Sequence, residues 1–237
     1  MAGIFLKAAW RKLLMANYAV DKKILEPYLP YGTEFDFWEG TCYVSLVGFM
    51  FENTRVKGIK IPFHVNFEEV NLRFYVRFQD KGEWKRGVVF IKEMVPKPAL
   101  TFVANTLYKE HYETVPMAHR WEAKADNLFV EYSWKRQKKW YSMAVNTKTE
   151  PLEIASGSEE EFITEHYWGY TKINEKSTSE YGVEHPRWMV YETKDYNIQV
   201  DFGETYGPAF QFLNLETPKS VFLAEGSDIQ VKQGRKI

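Results

Sequence analysis

The sequence predicts a mainly β protein of the α+β class, in one domain, on three observations. Period-two alternation runs unbroken from Glu69 to Phe78: Val70, Leu72, Phe74, Val76 and Phe78 fall on one face, and Glu69, Asn71, Arg73, Tyr75 and Arg77 on the other. Aromatic residues reach 17 % of the chain, an excess that suits strands and aromatic-lined cavities. Turn signals separate short apolar runs along most of the 237 residues, and no linker, repeat or low-complexity tract divides them.

Element by element, Trp10 to Val20 reads as a strand, and Asp21 as the N-cap of a short helix ending before Pro30. A competing reading of the N-terminus is an amphipathic helix with Ile4, Phe5, Ala8 and Leu13 on one face, lying on a membrane. Glu34–Trp38 and Cys42–Phe51 are consecutive strands around the Glu39-Gly40 turn. The segment from Arg55 to Val65, with its glycine and proline, is a loop across a pocket mouth or an edge. Asp80-Lys81-Gly82 turns the alternating strand back into Arg86–Glu93. Pro98 opens a helix in ALTFVANTLY. Strands follow at Met117–Ala123, Asn127–Trp134 and Trp140–Val145, then a short helix capped by Ser158. Tyr181–His185, Trp188–Asp201 and Ser220–Glu225 complete the strands.

Composition bounds the function. A formal net charge of −1 leaves no electrostatic footprint for nucleic acid or an anionic membrane. Lys7, Arg11 and Lys12 break any signal-peptide core, and no run approaches a bilayer span, so a cytoplasmic location is expected. Cys42 stands alone, which excludes an internal disulfide, and reads as a small buried apolar residue. His64, His111, His119, His166 and His185 are scattered without metal-ligand spacing, and no metal or cofactor is implied. His166-Tyr167-Trp168 and His185-Pro186-Arg187-Trp188 read as packing and hydrogen-bonding elements. Sequences of the GxSxG, P-loop and GxGxxG types are absent. WKRQKKW, Trp134 to Trp140, is a solvated turn between two strands.

The richest stretch is Phe67 to Trp121, where Glu68, Glu69, Arg73, Lys92, Glu93 and Glu110 are spread among apolar runs. Charges in such segments are costly unless paired, so they line a cavity as an acid-base or anion-recognition cluster, or they face water with weak cross-strand pairing. Period alone leaves both open.

The order and spacing of Trp10–Pro30, Phe67–Met117, HYWGY and EHPRW resemble the YqjF-like family of uncharacterised bacterial proteins, which is similar in fold to acetoacetate decarboxylase. The resemblance implies an antiparallel, cone-shaped β-barrel with a few peripheral helices around an internal cavity, and places the Glu69 strand on its wall. Acetoacetate decarboxylases carry Gly-Arg-Glu-x-x-Gly-x-Pro-Lys-Lys, whose first lysine forms the Schiff base. Laid on Tyr108 to Ala118 with one residue inserted between the glutamate and the proline, that motif keeps Glu110 and Pro116 but puts Met117 and Ala118 where the lysines stand. Methionine supplies no amine for such chemistry. Tyr18-Ala19-Val20-Asp21 likewise lacks the arginine of the decarboxylases' Tyr-Arg-Thr-Asp. Lys92 and Lys109 are the remaining candidate amines, Lys92 also pairing with a neighbouring acid and Lys109 sitting at a helix end.

The expectation is a protein that binds a small hydrophobic or carbonyl-bearing molecule in a barrel cavity through Glu69, Arg73, Tyr75, Lys92, Glu110 and the Met117 position, without Schiff-base decarboxylation. The alternative is an assembly protein that uses the barrel as a homo-oligomerisation module.

Overall fold

Alternating apolar positions drive most of the chain into long strands, and local turn chemistry decides where each one reverses. The computed structural model describes residues 3–108 and 110–237. In chain order the strands are β1 (Ile4–Ala19), β2 (Thr33–Phe35), β3 (Tyr43–Val56), β4 (Phe67–Asp80), β5 (Glu83–Val95), β6 (Tyr112–Thr114) and β7 (Met117–Lys124). They continue with β8 (Asn127–Arg136), β9 (Lys139–Glu153), β10 (Trp168–Asn174), β11 (Ser177–Glu184), β12 (Met189–Gln199), β13 (Ser220–Lys232) and β14 (Arg235–Lys236). The helices are short: α1 (Lys22–Leu25), α2 (Pro98–Val103), α3 (Glu159–Thr164) and α4 (Phe202–Tyr206).

The caps act as their residue types predict. Asp21 accepts from Lys23 N at 3.0 Å to start α1, and Ser158 accepts from Glu161 N at 3.2 Å to start α3. Glu39-Gly40, Lys81-Gly82 and Gln137-Lys138 all hold left-handed φ at both turn residues, the backbone that matches the twist of a two-residue hairpin. The third is the solvated turn of WKRQKKW.

Several elements depart from expectation. β1 begins at Ile4 and pairs with β13 and β3, so the amphipathic-helix alternative for the N-terminus falls. β2 pairs with β4 and not with β3; around Glu39-Gly40 only the Trp38–Thr41 bridge forms. The last three residues of HYWGY open β10, and residues 202–215 form α4 and a following 3-10 helix where no element was expected. No helix among the described residues is long and apolar enough to cross a membrane.

The strands form one sheet, in the order β14-β11-β10-β5-β4-β3-β1-β13-β12-β9-β8-β7. A further pairing of β11 with β13, through Val183–Val231 and Glu184–Gln230, brings the path back on itself as an uneven ring of seven strands. The ring is not wholly antiparallel. β10 runs parallel to β5 over Trp168–Gly87 and Gly169–Val88, and β6 is also parallel to β5.

β4 shows how this arrangement uses its sequence. Val70, Leu72, Phe74 and Val76 join an outer core with Tyr132 and Met143 of β8 and β9. Gly48 of β3 allows that contact, because a Cβ there would lie 2.9 Å from the Tyr132 ring. The other face of β4 turns into the ring, where Phe67 and Tyr75 join an inner cluster with Met15, Phe49, Phe51 and Trp188. Each fully buried side chain of this size stabilises by about 1.5–3 kcal/mol. Glu69 and Arg73, at 2 % and 8 % exposure, are buried on that inner face with Asn71 between them, so the alternative in which the alternating charges of β4 face water is overturned for both.

Candidate functional site

Inside the ring lies a cavity of about 290 Å³. Its wall is chiefly aromatic and aliphatic, with Trp10, Phe49, Phe51, Phe67 and Trp188 among the lining residues. Trp10 meets Phe49 edge-on at 5.3 Å, Phe51 stacks on Phe67 at 4.7 Å, and Trp188 stacks on His185 at 4.2 Å. Ile61 and His64, from the loop after β3, and Leu100 and Val103, from α2, also line it.

Three carboxyls converge on this apolar surface. Glu69 comes from β4, Glu93 from β5 opposite Asn71, and Glu110 from the connection before β6. Asn71 Nδ2 donates to Glu69 Oε1 at 2.9 Å, and the Tyr112 hydroxyl donates to Oε2 at 3.2 Å. Asn105 holds Tyr112 in place, donating to its carbonyl and accepting from its N–H, both at 2.8 Å. Thr171 Oγ1 donates to Glu110 Oε1 at 2.6 Å. Glu93 Oε2 is buried with no partner among the described residues.

Burial dominates the electrostatics of this trio. It pushes Glu69 up to about 7, against the hydrogen bonds from Asn71 and Tyr112, with the Glu110 charge adding to the rise. Burial also lifts Glu110 to about 7, with Thr171 opposing. Glu93 is raised well above the usual carboxyl range by burial and then by the Glu110 and Glu69 charges. The phenols of Tyr112 and Tyr181 are pushed well up, chiefly by burial, and remain protonated donors. Carboxyls poised near neutrality can give or take a proton at physiological pH.

The rest of the β4 inner face carries a cation. Arg73 is 8 % exposed, and its Nη2 meets only the Ile163 carbonyl at 3.4 Å and Met15 Sδ at 3.9 Å. Its Nε has no partner among the described residues. Farther along, Tyr75 is 1 % exposed but does not line the cavity; it shares a 2.7 Å hydrogen bond with Ser45, which donates to Asn17 at 2.6 Å. His166 lines the cavity, with Nε2 3.1 Å from Asp36 Oδ2.

Of the residues expected to bind a ligand, Glu69, Arg73 and Glu110 are brought together on the cavity, while Tyr75 supports it from beneath. Lys92 is elsewhere. The β4–β5 register shifts between Leu72 and Arg73, so Lys92 pairs with Leu72 and Phe90 with Arg73. That bulge returns Phe90 to the cavity and leaves Lys92 on the outer face, donating to the Thr205 carbonyl at 2.7 Å and pairing with Glu113 at 3.1 Å. Met117 opens β7 opposite Trp134 and packs on the outer core, away from the cavity. Lys109 lies outside the described residues. Sequence reasoning did not select Tyr112, Tyr181 or His166. Tyr112 stands two residues beyond Glu110, a local signal that could have found it; Tyr181 packs over Gly169, where a Cβ would lie 2.1 Å from its ring, a contact invisible along the chain.

The comparisons with known proteins follow this geometry. The Bacillus subtilis (strain 168) uncharacterized protein YqjF is 25 % identical over 189 residues, spanning 78 % of this chain and 74 % of that one. Among solved structures, acetoacetate decarboxylase from Legionella pneumophila superposes with a TM-score of 0.66 at 11 % identity, over 99 % of this chain and 88 % of that one. An acetoacetate decarboxylase-like enzyme from Sphingomonas wittichii RW1 gives 0.66 at 10 %, over 98 % and 92 %. The enduracididine biosynthesis enzyme MppR, complexed with pyruvate, gives 0.65 at 11 %, over 100 % and 91 %. At these identities the likeness establishes an acetoacetate decarboxylase-like fold and nothing about activity. Sequence carries the membership: residues 7–228 match the family model described as an uncharacterized conserved protein, and the chain belongs to that family, DUF2071.

Proposed function

We propose that residues 1–237 act as one ligand-binding unit, a cone-shaped barrel that takes a small hydrophobic or carbonyl-bearing molecule without Schiff-base decarboxylase chemistry. The observation that carries this reading is the aromatic-walled cavity of about 290 Å³ into which Glu69, Glu93 and Glu110 converge. Its volume, apolar wall and few polar groups suit a small ligand. Glu93 and Glu110, when protonated, are donors for a carbonyl oxygen. A fold neighbour holds pyruvate, a small carbonyl acid, which supports the ligand class. Schiff-base chemistry needs an amine in the pocket. The one lysine lining the cavity among the described residues is Lys232, and its ammonium pairs with Glu184 at 2.9 Å.

The test uses 4-phenyl-2-butanone as probe, followed through the fluorescence of Trp10 and Trp188 in the wall, with native mass spectrometry of the protein as purified. Saturable quenching, or a bound mass lost on denaturation, is expected, with no covalent adduct after borohydride. No saturable response and no bound mass would overturn the reading. A second reading, the assembly module, is favoured by Phe63, Phe102 and Ile59, which are 89 %, 70 % and 68 % exposed. It requires a self-association interface above about 1,000 Å² in total, which sedimentation velocity would detect.

A further inference from the structure

Two buried groups beside the carboxyl trio lack the partners their chemistry demands. Arg73 carries a permanent charge and five N–H donors. Among the described residues it forms no ion pair, and its Nε is unpartnered. A buried cation is costly without a counter-charge. Glu69 lowers that cost only at a distance, since it feels the Arg73 charge without forming an ion pair with it.

His166 is the second group. It is 7 % exposed, lies on the cavity wall and packs against Tyr75 at 4.7 Å and Phe162 at 5.0 Å. Asp36 faces its Nε2 at 3.1 Å and is itself held by Arg86 Nε at 2.6 Å. With Arg86 fixing the carboxylate, Asp36 selects the imidazole that carries its proton on Nε2. Nδ1 then keeps a bare lone pair, and it has no partner among the described residues. Burial first, with the Arg86 and Arg73 charges behind it, lowers the imidazole to about 4, against the Asp36 hydrogen bond, so the ring is neutral. Arg73 also lies over the Tyr75 ring, 5.7 Å from its centroid, so the unpaired cation and the unpaired acceptor flank one aromatic side chain.

We propose that Arg73 and His166 form a recognition pair for a small 2-hydroxy acid, Arg73 taking the carboxylate and His166 Nδ1 accepting from the hydroxyl on the adjacent carbon. One anion and one donor, held on neighbouring atoms, satisfy both vacant demands together. The apolar wall then covers the rest of the molecule. This deepens the cavity reading above and rests on it.

The probes are sodium lactate and sodium propionate, nearly equal in size and differing in the hydroxyl. Long-range 15N–1H spectra of 15N-labelled protein should show His166 protonated on Nε2 and bare on Nδ1. Lactate should shift both Nδ1 and Arg73 Nε, propionate Arg73 Nε alone, and lactate should bind about tenfold tighter. His166→Phe should abolish that tenfold preference while leaving propionate binding in place, and Arg73→Met should abolish binding of both. Should either variant fail to fold, the wild-type spectra still decide. A proton on Nδ1, or equal affinity for the two acids, overturns the proposal. If 4-phenyl-2-butanone binds but neither acid does, this pair is refuted and the cavity reading survives. If the ketone and both acids all fail, both are refuted.

Discussion

Replacing Glu69 by glutamine tests the electrostatics on which the candidate site depends. Burial raises this carboxyl from its ordinary 4.5 to about 7 in the folded chain. Its ionisation therefore costs more folded than unfolded. At 1.36 kcal/mol per pH unit the penalty grows from pH 4.5 upward and levels at about 3 kcal/mol above pH 7. Stability tied to Glu69 is fully present below pH 4.5 and is lost as pH rises to 7. His166 acts with the opposite sign: its neutral form is favoured on folding, so stability is lost as pH falls from 6.5 to about 4. Comparing variant with wild type cancels the histidine and leaves the carboxyl.

Glutamine keeps the shape of the site. Its carbonyl can still accept from Asn71, and its amide can donate to the Tyr112 oxygen. The variant should match the wild type within about 1 kcal/mol at pH 5 and exceed it by about 2–3 kcal/mol at pH 8, coupling to Glu93 and Glu110 trimming the upper figure. Urea unfolding at both pH values, read by tryptophan fluorescence, gives the difference directly, with unchanged slope confirming an unaltered fold. A variant less stable than the wild type at pH 8, or a difference that does not move with pH, would refute the buried, proton-holding carboxyl.

Two other substitutions test placement. Met117→Lys puts an amine where the decarboxylase motif has its lysine, but that position packs on the outer core; with pyruvate and borohydride the intact mass should show no adduct, and a trapped adduct would move Met117 to the cavity. Gly48→Ala would set a Cβ 2.9 Å from the Tyr132 ring and 3.0 Å from Met143 Sδ; a loss of about 1–3 kcal/mol in urea unfolding is expected, and an unchanged midpoint would contradict the packing of β8 and β9 on β3.

What the sequence reveals of this protein is what local chemistry decides. Asp21 and Ser158 cap helices, Lys81-Gly82 closes a hairpin, and β4 alternates, because each depends on residues a few positions apart. The missed helix after Asp201 carried the same kind of signal: Asp201 accepts from Glu204 N at 2.9 Å in an Asp-x-x-Glu start. Other features depend on distant pairing. The β11–β13 contact closes the ring between segments about fifty residues apart, and no periodicity announces it. The bulge in β5 sets the side on which Lys92 emerges, and a place in an apolar run beside Glu93 does not reveal which face that is. Met117 was placed by motif alignment, which fixes order along the chain and not the wall a side chain faces. His166 looked like a packing residue, and so it is; its second nitrogen gains meaning only when Asp36, 130 positions away, is brought to the first.

The division of the sheet into an outer and an inner face explains how the fold tolerates such a site. Three raised carboxyls, an unpaired guanidinium and a vacant imidazole nitrogen are all unfavourable to folding. Glu69, Arg73 and Glu93 sit on β4 and β5, whose opposite faces are packed against β8, β9 and α4, so the residues that stabilise β4 and β5 are separate from those that define the cavity. Alternation makes this separation available: Leu72 and Phe74 can hold the strand while Asn71 and Arg73 face inward. The fold is shared with acetoacetate decarboxylase from Legionella pneumophila at 11 % identity. The outer packing holds the strands, and Phe67, Glu69, Asn71 and Arg73 of β4, with Tyr112 and His166, set the chemistry of the cavity wall.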